Sequence, residues 1–287
     1  MASFRIVSLK AFGDLVIALN CLRADAATHR SSLVIGRHLV GLVEALDPTF
    51  VPWTVVGSDK DVPALFDVRR RGVMEGAKSA LRLRGELGRL DIEEPTVLVF
   101  DRLGARERFI SAGRPSTGLP ARPNIYQAFE TLLDLPPQAG IEDRDGRMNV
   151  SLTTVGIFPV SRVARKTLPT SLVAEVARQC LDAGLDPVVM LLEGEESQFE
   201  GRALRCEVIP RTFQSLLDAV RSFPRLICAD SLPAHLGELE GRRVFVLTPV
   251  ANTYWLPLSC FRRDLWSTFD MTTENARRIS EFVRLPG

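Results

Sequence analysis

The amino-acid sequence predicts a soluble α/β protein of two Rossmann-like halves, each a parallel sheet covered by helices. Three observations carry this. Short apolar runs alternate with amphipathic segments along the chain. A polar stretch from Pro136 to Arg147 breaks the alternation. A second series of the same kind then begins.

In the first series, residues 4–9 read as a buried strand and 14–22 as the helix after it. Residues 33–35 and 38–46 repeat the pair, and 54–56 form a third strand. Residues 74–90 carry Lys and Arg on one side and read as an exposed helix. Residues 96–100 form a strong strand leaving through Asp101, and 125–133 close the half as a helix. The stretch that follows holds Pro136, Pro137, Gly140 and Gly146 among Asp134, Glu142, Asp143 and Asp145, a linker composition. In the second series the strands are 155–158, 188–192, 207–209, 226–229 and 244–247. Leu172, Val173, Val176, Ala177 and Cys180 recur at helical spacing, and 273–283 form a terminal helix. The expected division is 1–145 and 146–287, with the terminal helix a candidate to pack back on the first half.

The composition bounds the function. The chain has 287 residues, 46% hydrophobic and 25% charged, enough for one large core or two medium ones. Lys and Arg number 36 against 35 Asp and Glu, a net charge of +1. That near-balance argues against a general nucleic-acid coat, which needs a basic excess to displace counterions. The five cysteines are widely spaced and odd in number, which fits reduced thiols in the cytoplasm. The three histidines lie outside any zinc-binding pattern. No apolar run approaches the ~20 residues of a membrane span, and the N-terminus lacks the features of a secretory signal. A cytoplasmic protein is expected.

Ligands of parallel sheets bind outside the carboxyl ends of the strands. Chemistry is therefore to be sought after Leu9, Phe158, Leu192 and Ala229. The first loop runs from Ser8 to Asp14, with Gly13 suited to a tight turn and Asp14 in the first turn of the helix. It lacks G-x-G-x-x-G, which disfavours a dinucleotide oxidoreductase. The second places Arg162, Arg165 and Lys166 directly after a strand, a group suited to a diphosphate. The third, Asp230-Ser231-Leu232-Pro233-Ala234-His235-Leu236, runs from strand into helix, where amides attract phosphate. Each loop alone also reads as ordinary structure: a capped helix, a solvated basic turn, a packed histidine.

Taken in order, the loops resemble the lipopolysaccharide heptosyltransferases, glycosyltransferase family 9 of GT-B fold. The strand and Gly-Asp turn through Asp14, the Phe158-Pro159-Val160 turn with Lys166-Thr167-Leu168-Pro169 downstream, and the segment Asp230 to Leu236 carry the resemblance. Leu103-Gly104-Ala105-Arg106 adds to it. Three positions depart: Val160 and Leu232 replace glycines, and Leu168 replaces an aromatic residue. Glycine lets backbone approach phosphate closely, so Leu232 bears on how phosphates are held.

The resemblance implies two sheets facing across a cleft that holds a nucleotide-sugar. It implies an inverting, metal-independent transfer of a sugar, heptose from an ADP-sugar by family default, to a hydroxyl of a lipopolysaccharide-type or other glycan acceptor. No cofactor is expected. Asp14 would be the general base. Lys166, helped by Arg162 and Arg165, would neutralise the leaving diphosphate, with Asp230, Ser231 and His235 at the same site. Glu193 and Glu196 are candidates for the nucleoside. Lys10, Arg69, Arg70 and Arg71 would face an anionic glycan or glycolipid acceptor or the inner membrane face, in a half also carrying Lys78, Arg82, Arg84, Arg89, Arg102, Arg106 and Arg108. Asp143-Arg144-Asp145 has the form of a metal-binding D-x-D but reads as solvated linker. Tyr254, Trp255 and Trp266 read as interdomain packing or, failing that, an aromatic wall. Two other classes stay open: a sugar-nucleotide epimerase and a non-catalytic nucleotide- or partner-binding member.

Overall fold

The computed structural model describes residues 3–25, 31–90, 96–136, 153–199, 203–270 and 272–285, and every structural observation is of these. The chain divides into two compact units, Met1–Pro137 and Gln138–Gly287. The boundary expected at 145/146 lies outside the described residues, as do Asp143 and Asp145.

The first unit runs β1 (Ser3–Ser8), α1 (Phe12–Asp25), β2 (Ser31–Gly36), α2 (Val40–Leu46), β3 (Trp53–Val56), α3 (Asp61–Phe66), α4 (Val68–Arg71), α5 (Val73–Arg89), β4 (Thr96–Phe100), α6 (Ala105–Ile110), β5 (Ser116–Gly118) and α7 (Ile125–Leu133). Its strands pair in parallel in the order β3-β2-β1-β4-β5. The second unit runs β6 (Thr154–Phe158), α8 (Thr170–Asp182), β7 (Asp186–Leu192), β8 (Cys206–Ile209), α9 (Phe213–Arg221), β9 (Arg225–Ala229), α10 (Leu232–Leu239), β10 (Arg243–Thr248), α11 (Leu258–Arg263), β11 (Trp266–Thr268) and α12 (Thr273–Arg284). Its parallel order is β11-β10-β9-β6-β7-β8.

Burial explains which strands the sequence announces. The central strands β4, β9 and β10 are covered on both faces and are nearly continuous apolar runs. The edge strands β3, β5, β8 and β11 are largely exposed or half-buried and carry little hydrophobic pattern. The sequence reading finds β3 and β8 but not β5 and β11, which have three residues each and are held by their neighbours' backbones. The short helices α3, α4, α6 and α11 escape it for the same reason, being too brief for periodicity to show. The sequence reading also passes over α9, although Leu216, Leu217 and Val220 bury one face and Thr212 caps its start by accepting from the Ser215 N–H at 3.1 Å.

α1 is buried along most of its length, with Leu15, Val16, Ile17, Ala18, Leu19, Cys21 and Leu22 all within 1% of full burial. Gly13 lies inside its first turn rather than in a turn ahead of it. The terminal helix α12 puts Ile279, Phe282 and Val283 into the core of the second unit, where the Phe282 ring lies 5.4 Å from that of Phe245.

α10 is fixed from two sides. Its Gly237 lies directly against the sheet: a Cβ there would stand 2.6 Å from Leu226 of β9 and 2.7 Å from Val244 of β10. Its Glu238 is buried and accepts from the Ser259 N–H at 3.0 Å and from the Ser259 hydroxyl, joining α10 to the start of α11. Burial pushes the Glu238 carboxyl above its ordinary range, and the bonds from Ser259 oppose that.

Leu226 and Val244 are themselves fully buried and have nowhere to move. Gly237→Ala is therefore expected to destabilise the second unit by about 1–3 kcal/mol through overpacking, more than the roughly 1 kcal/mol that alanine gains in helix propensity. A denaturant midpoint unchanged or raised would show that α10 does not rest on the sheet through this glycine.

Candidate functional site

In both sheets the strand order reverses beside the unit's first strand. β1 lies between β2 and β4, and β6 between β9 and β7. Parallel pairing brings neighbouring exits together: Val7 is opposite Phe100 in the first sheet and Phe158 opposite Cys228 in the second. These switch points are where loops diverge and leave room for a ligand.

At the second switch point, the loop after β6 is closed by its own backbone. The Leu168 N–H donates to the Pro159 carbonyl at 2.8 Å, and the Lys166 N–H donates to the Val163 carbonyl at 2.7 Å within a short 3-10 turn. Thr167 ties the loop across: its hydroxyl accepts from the Ser161 N–H at 3.1 Å and donates to the Ser161 carbonyl at 3.2 Å. Leu168, at the position where the resemblance expects an aromatic residue, is buried in the core and anchors the loop. Lys166 is thereby held at the sheet edge, while Arg162 and Arg165 stand exposed on the same loop.

The loop after β9 meets it. Lys166 Nζ lies 2.7 Å from Asp230 Oδ2, with the two side chains 28% and 14% exposed. Ser231 precedes α10 at the N-cap position, but its side chain does not cap the helix. Its hydroxyl donates instead to the Ala229 carbonyl at 3.3 Å and, at 3.5 Å, to the carbonyl of Val160. The amide supply of the helix start is reduced, because Pro233 has no N–H and the Ala234 N–H donates to the Ser231 carbonyl.

His235, in the first turn of α10, is 5% exposed, and its Nδ1 has no hydrogen-bond partner. Burial pulls its pKa down to about 4; the nearby Asp230 opposes the shift and Lys166 adds to it. His235 is therefore a neutral imidazole at neutral pH, beneath an ion pair that satisfies itself.

Glu193 and Glu196 follow β7, one strand further along the sheet. The backbone, not the side chain, of Glu193 is engaged: Arg211 donates to its carbonyl at 2.7 Å. The carboxylate that organises this loop is Glu195, which accepts from the Leu192 N–H at 2.9 Å and pairs with Arg211 at 3.2 Å. Nothing in the run Glu193-Gly194-Glu195-Glu196 distinguishes it beforehand.

At the first switch point, Asp14 lies in the opening turn of α1 and lines a recess with Ser8, Lys10, Phe66, Asp101 and Glu107. Sequence reasoning singled out Asp14 and Lys10 as site residues here; Ser8 entered only as the start of the loop, and Phe66 and Glu107 not at all. Ser8 is buried, and its hydroxyl has no hydrogen-bond partner. The Phe66 ring receives the Arg106 guanidinium at 4.1 Å and the Lys10 ammonium at 5.9 Å. Glu107 accepts from the Gly104 N–H at 3.0 Å and pairs with Arg106 at 2.9 Å. The recess thus combines carboxylates, an aromatic face and a buried hydroxyl at one end of the sheet.

The structure narrows the basic set of this half. Arg82 pairs with the buried Asp61 at 3.1 Å, and Arg84 donates to the Phe109 carbonyl at 2.6 Å. These cations hold the fold, as Arg106 does. Arg71 is exposed on α4, and the side chains of Arg69 and Arg70 are outside the described set. In the second unit, the Tyr254 and Trp255 rings pack edge to face with centroids 4.9 Å apart, and Trp266 opens the edge strand β11. Among the described residues, no three or more His, Cys, Asp or Glu side chains are grouped to hold a metal ion.

No protein-family model matches the sequence, and no curated protein matches it. Solved structures do. A family 9 glycosyl transferase from Veillonella parvula DSM 2008 matches with a TM-score of 0.63 over 99% of this chain and 97% of its own, at 14% identity. The E. coli heptosyltransferase WaaC, solved with ADP, gives 0.63 over 99% of both chains at 12% identity. E. coli ADP-heptose lps heptosyltransferase II gives 0.57 over 98% of this chain and 97% of its own at 13% identity. At such identities the likeness establishes the fold: the chain has the two-sheet GT-B architecture of these glycosyltransferases from end to end.

The His235 proton is directly measurable. Its ring resonances are expected to titrate with a midpoint near 4, not near the ordinary ~6.5. A base whose folded pKa is depressed contributes stability above the unfolded pKa and loses it as pH falls through the folded one. The native state should therefore weaken between about pH 6.5 and pH 4, and less so in His235→Gln. A midpoint near 6.5 would show that solvent reaches the imidazole.

Proposed function

We propose that the protein is an inverting, metal-independent glycosyltransferase that moves a sugar from a nucleotide-sugar to an acceptor hydroxyl. The observation that carries this reading is Lys166, held with Asp230 and Ser231 at the β6/β9 switch point of a chain that shares its fold over nearly its whole length with sugar-transferring enzymes. The structures matched include one of WaaC with ADP, which favours an ADP-sugar donor, and heptose follows as the first sugar to test. The acceptor is an anionic glycan or glycolipid, on the side of Lys10 and Arg71.

The chemistry follows from the charges. As the acceptor oxygen attacks the anomeric carbon, the bond to the diphosphate breaks and negative charge grows on the leaving group. Lys166 is the cation placed to neutralise it, with Arg162 and Arg165 near in sequence on the same loop. Lys166 is paired with Asp230, so a diphosphate must share or displace that carboxylate. His235, being neutral, adds no positive charge. The acceptor's proton passes to the Asp14 carboxylate, which completes the displacement without a metal.

A second reading is a non-catalytic nucleotide-binding protein. Leu232 and Pro233 at the start of α10 favour it, since they leave fewer close amides for phosphate than a glycine turn would.

Calorimetry with ADP, UDP, GDP and CDP, with and without chelator, tests the site. Binding of one nucleotide, indifferent to chelator and weakened about 10-fold or more in Lys166→Ala, is the expected result. No binding of any nucleotide would sink the transferase reading. Asp14→Asn should then leave nucleotide affinity unchanged and lower transfer by about 10²–10⁴-fold. Wild-type binding without any transfer to glycan acceptors would select the second reading, and a changed sugar released without acceptor would indicate an epimerase.

A further inference from the structure

The recess beside Asp14 holds a polar group whose needs the protein does not meet. Ser8, the last residue of β1, is 6% exposed, and its hydroxyl has no hydrogen-bond partner among the described residues. A buried hydroxyl left unpaired is costly, so it calls for a partner from outside the chain. The carboxylates around it are occupied to different degrees. Glu107 is engaged on both oxygens, Oε2 by the Gly104 N–H at 3.0 Å and Oε1 by the Arg106 guanidinium at 2.9 Å. Asp101 accepts from the Arg102 N–H through Oδ1 at 2.8 Å. Asp14 stands half-buried in the opening turn of α1. The remaining wall is largely apolar, with Leu9, Phe100, Ile110, Leu119 and Phe129.

Size decides what enters this recess. Its open space is about 30 Å³. That is the share of one molecule in liquid water, and about a tenth of the smallest ligand clefts, ~300 Å³. A sugar ring does not fit, and its hydroxyls would meet few partners on the apolar wall. A water does fit. It needs two to four polar partners, and Ser8, Asp14 and Asp101 line the recess to supply them. We propose that the recess binds a water molecule, that Ser8 orients it toward Asp14, and that the protein uses it as an acceptor, hydrolysing the nucleotide-sugar. This rests on the transferase reading and adds a second acceptor to it. In the step, the water oxygen attacks the anomeric carbon while the bond from that carbon to the diphosphate oxygen breaks. The electron pair of that bond leaves with the nucleoside diphosphate. One water proton passes to the Asp14 carboxylate, and the remaining O–H becomes the anomeric hydroxyl of the free sugar, with inverted configuration. Asp14 then returns its proton to solvent, and no further reactant is consumed.

The test is incubation of the whole chain with ADP-heptose, and separately with ADP-glucose, without any glycan and in water enriched in oxygen-18. The expected result is release of free sugar and ADP from at least one of them, with no label in the ADP, because the bond that breaks joins carbon to oxygen. Ser8→Ala should lower kcat for hydrolysis about 3–10-fold, the worth of one hydrogen bond to the attacking water, and leave KM unchanged. This variant should fold, since it removes a buried hydroxyl that no described group satisfies. A denaturant midpoint at or above that of the wild type reports as much. An ADP-sugar that binds by calorimetry yet stays intact without a glycan overturns the inference alone. So does label in the ADP, or hydrolysis by Ser8→Ala at the wild-type rate. Failure of both ADP-sugars to bind overturns the inference together with the ADP-sugar transferase reading beneath it.

Discussion

Parallel pairing is the constraint on which the rest of the structure depends. In a parallel sheet every strand leaves at the same edge, and every return must cross a face, which the helices then cover. The in-register pairs β1–β4 and β6–β9 consequently place the loop after Ser8 beside the loop after Phe100, and the loop after Phe158 beside the loop after Ala229. Residues far apart in sequence become neighbours without any specific attraction between them. Lys166 and Asp230 are the clearest product: an ion pair made by sheet order rather than by local sequence.

The electrostatics of the second switch point reflect partial enclosure. Lys166 and Asp230 are shielded enough to find each other yet exposed enough to exchange partners. His235 is deeper, and burial, to which Lys166 adds, removes its charge. A site with one paired cation and a neutral imidazole is poised to respond to an anion through Lys166. The close seating of α10, through Gly237 on the sheet and Glu238 against α11, fixes the loop that carries Asp230 and Ser231. A glycine and a buried carboxylate away from the switch point thus position the loop on which the proposed diphosphate site rests.

The first unit distributes its many arginines among different tasks, and their number alone misleads. Arg82, Arg84 and Arg106 hold Asp61, Phe109 and Glu107, and Arg106 also covers the Phe66 ring. Lys78, by contrast, pairs with the exposed Glu75 one turn away on its own helix. A count of basic residues merges the two cases, whereas the burial of the partner separates Arg82 on Asp61 from Lys78 on Glu75.

The sequence by itself determined the alternation of elements, the central strands and the loops worth inspecting. Those features are local: a strand buried on both faces must be apolar throughout, and a helix against a sheet must show its period. Asp14, Lys166, Asp230, Ser231 and His235 were singled out because each belongs to the loop or helix start that follows such a strand. What only the tertiary structure decided is pairing and depth. The three-residue strands β5 and β11 exist because a neighbour supplies their hydrogen bonds. Glu195 rather than Glu193 organises its loop, because Arg211 arrives from beyond the next strand. Glu107 joins Asp14 because β1 and β4 leave the sheet side by side, and Phe66 reaches the same recess from α3. His235 loses its charge because the surrounding chain excludes water. Such properties belong to no segment of sequence, since burial and partnership are set by residues that come from elsewhere in the chain.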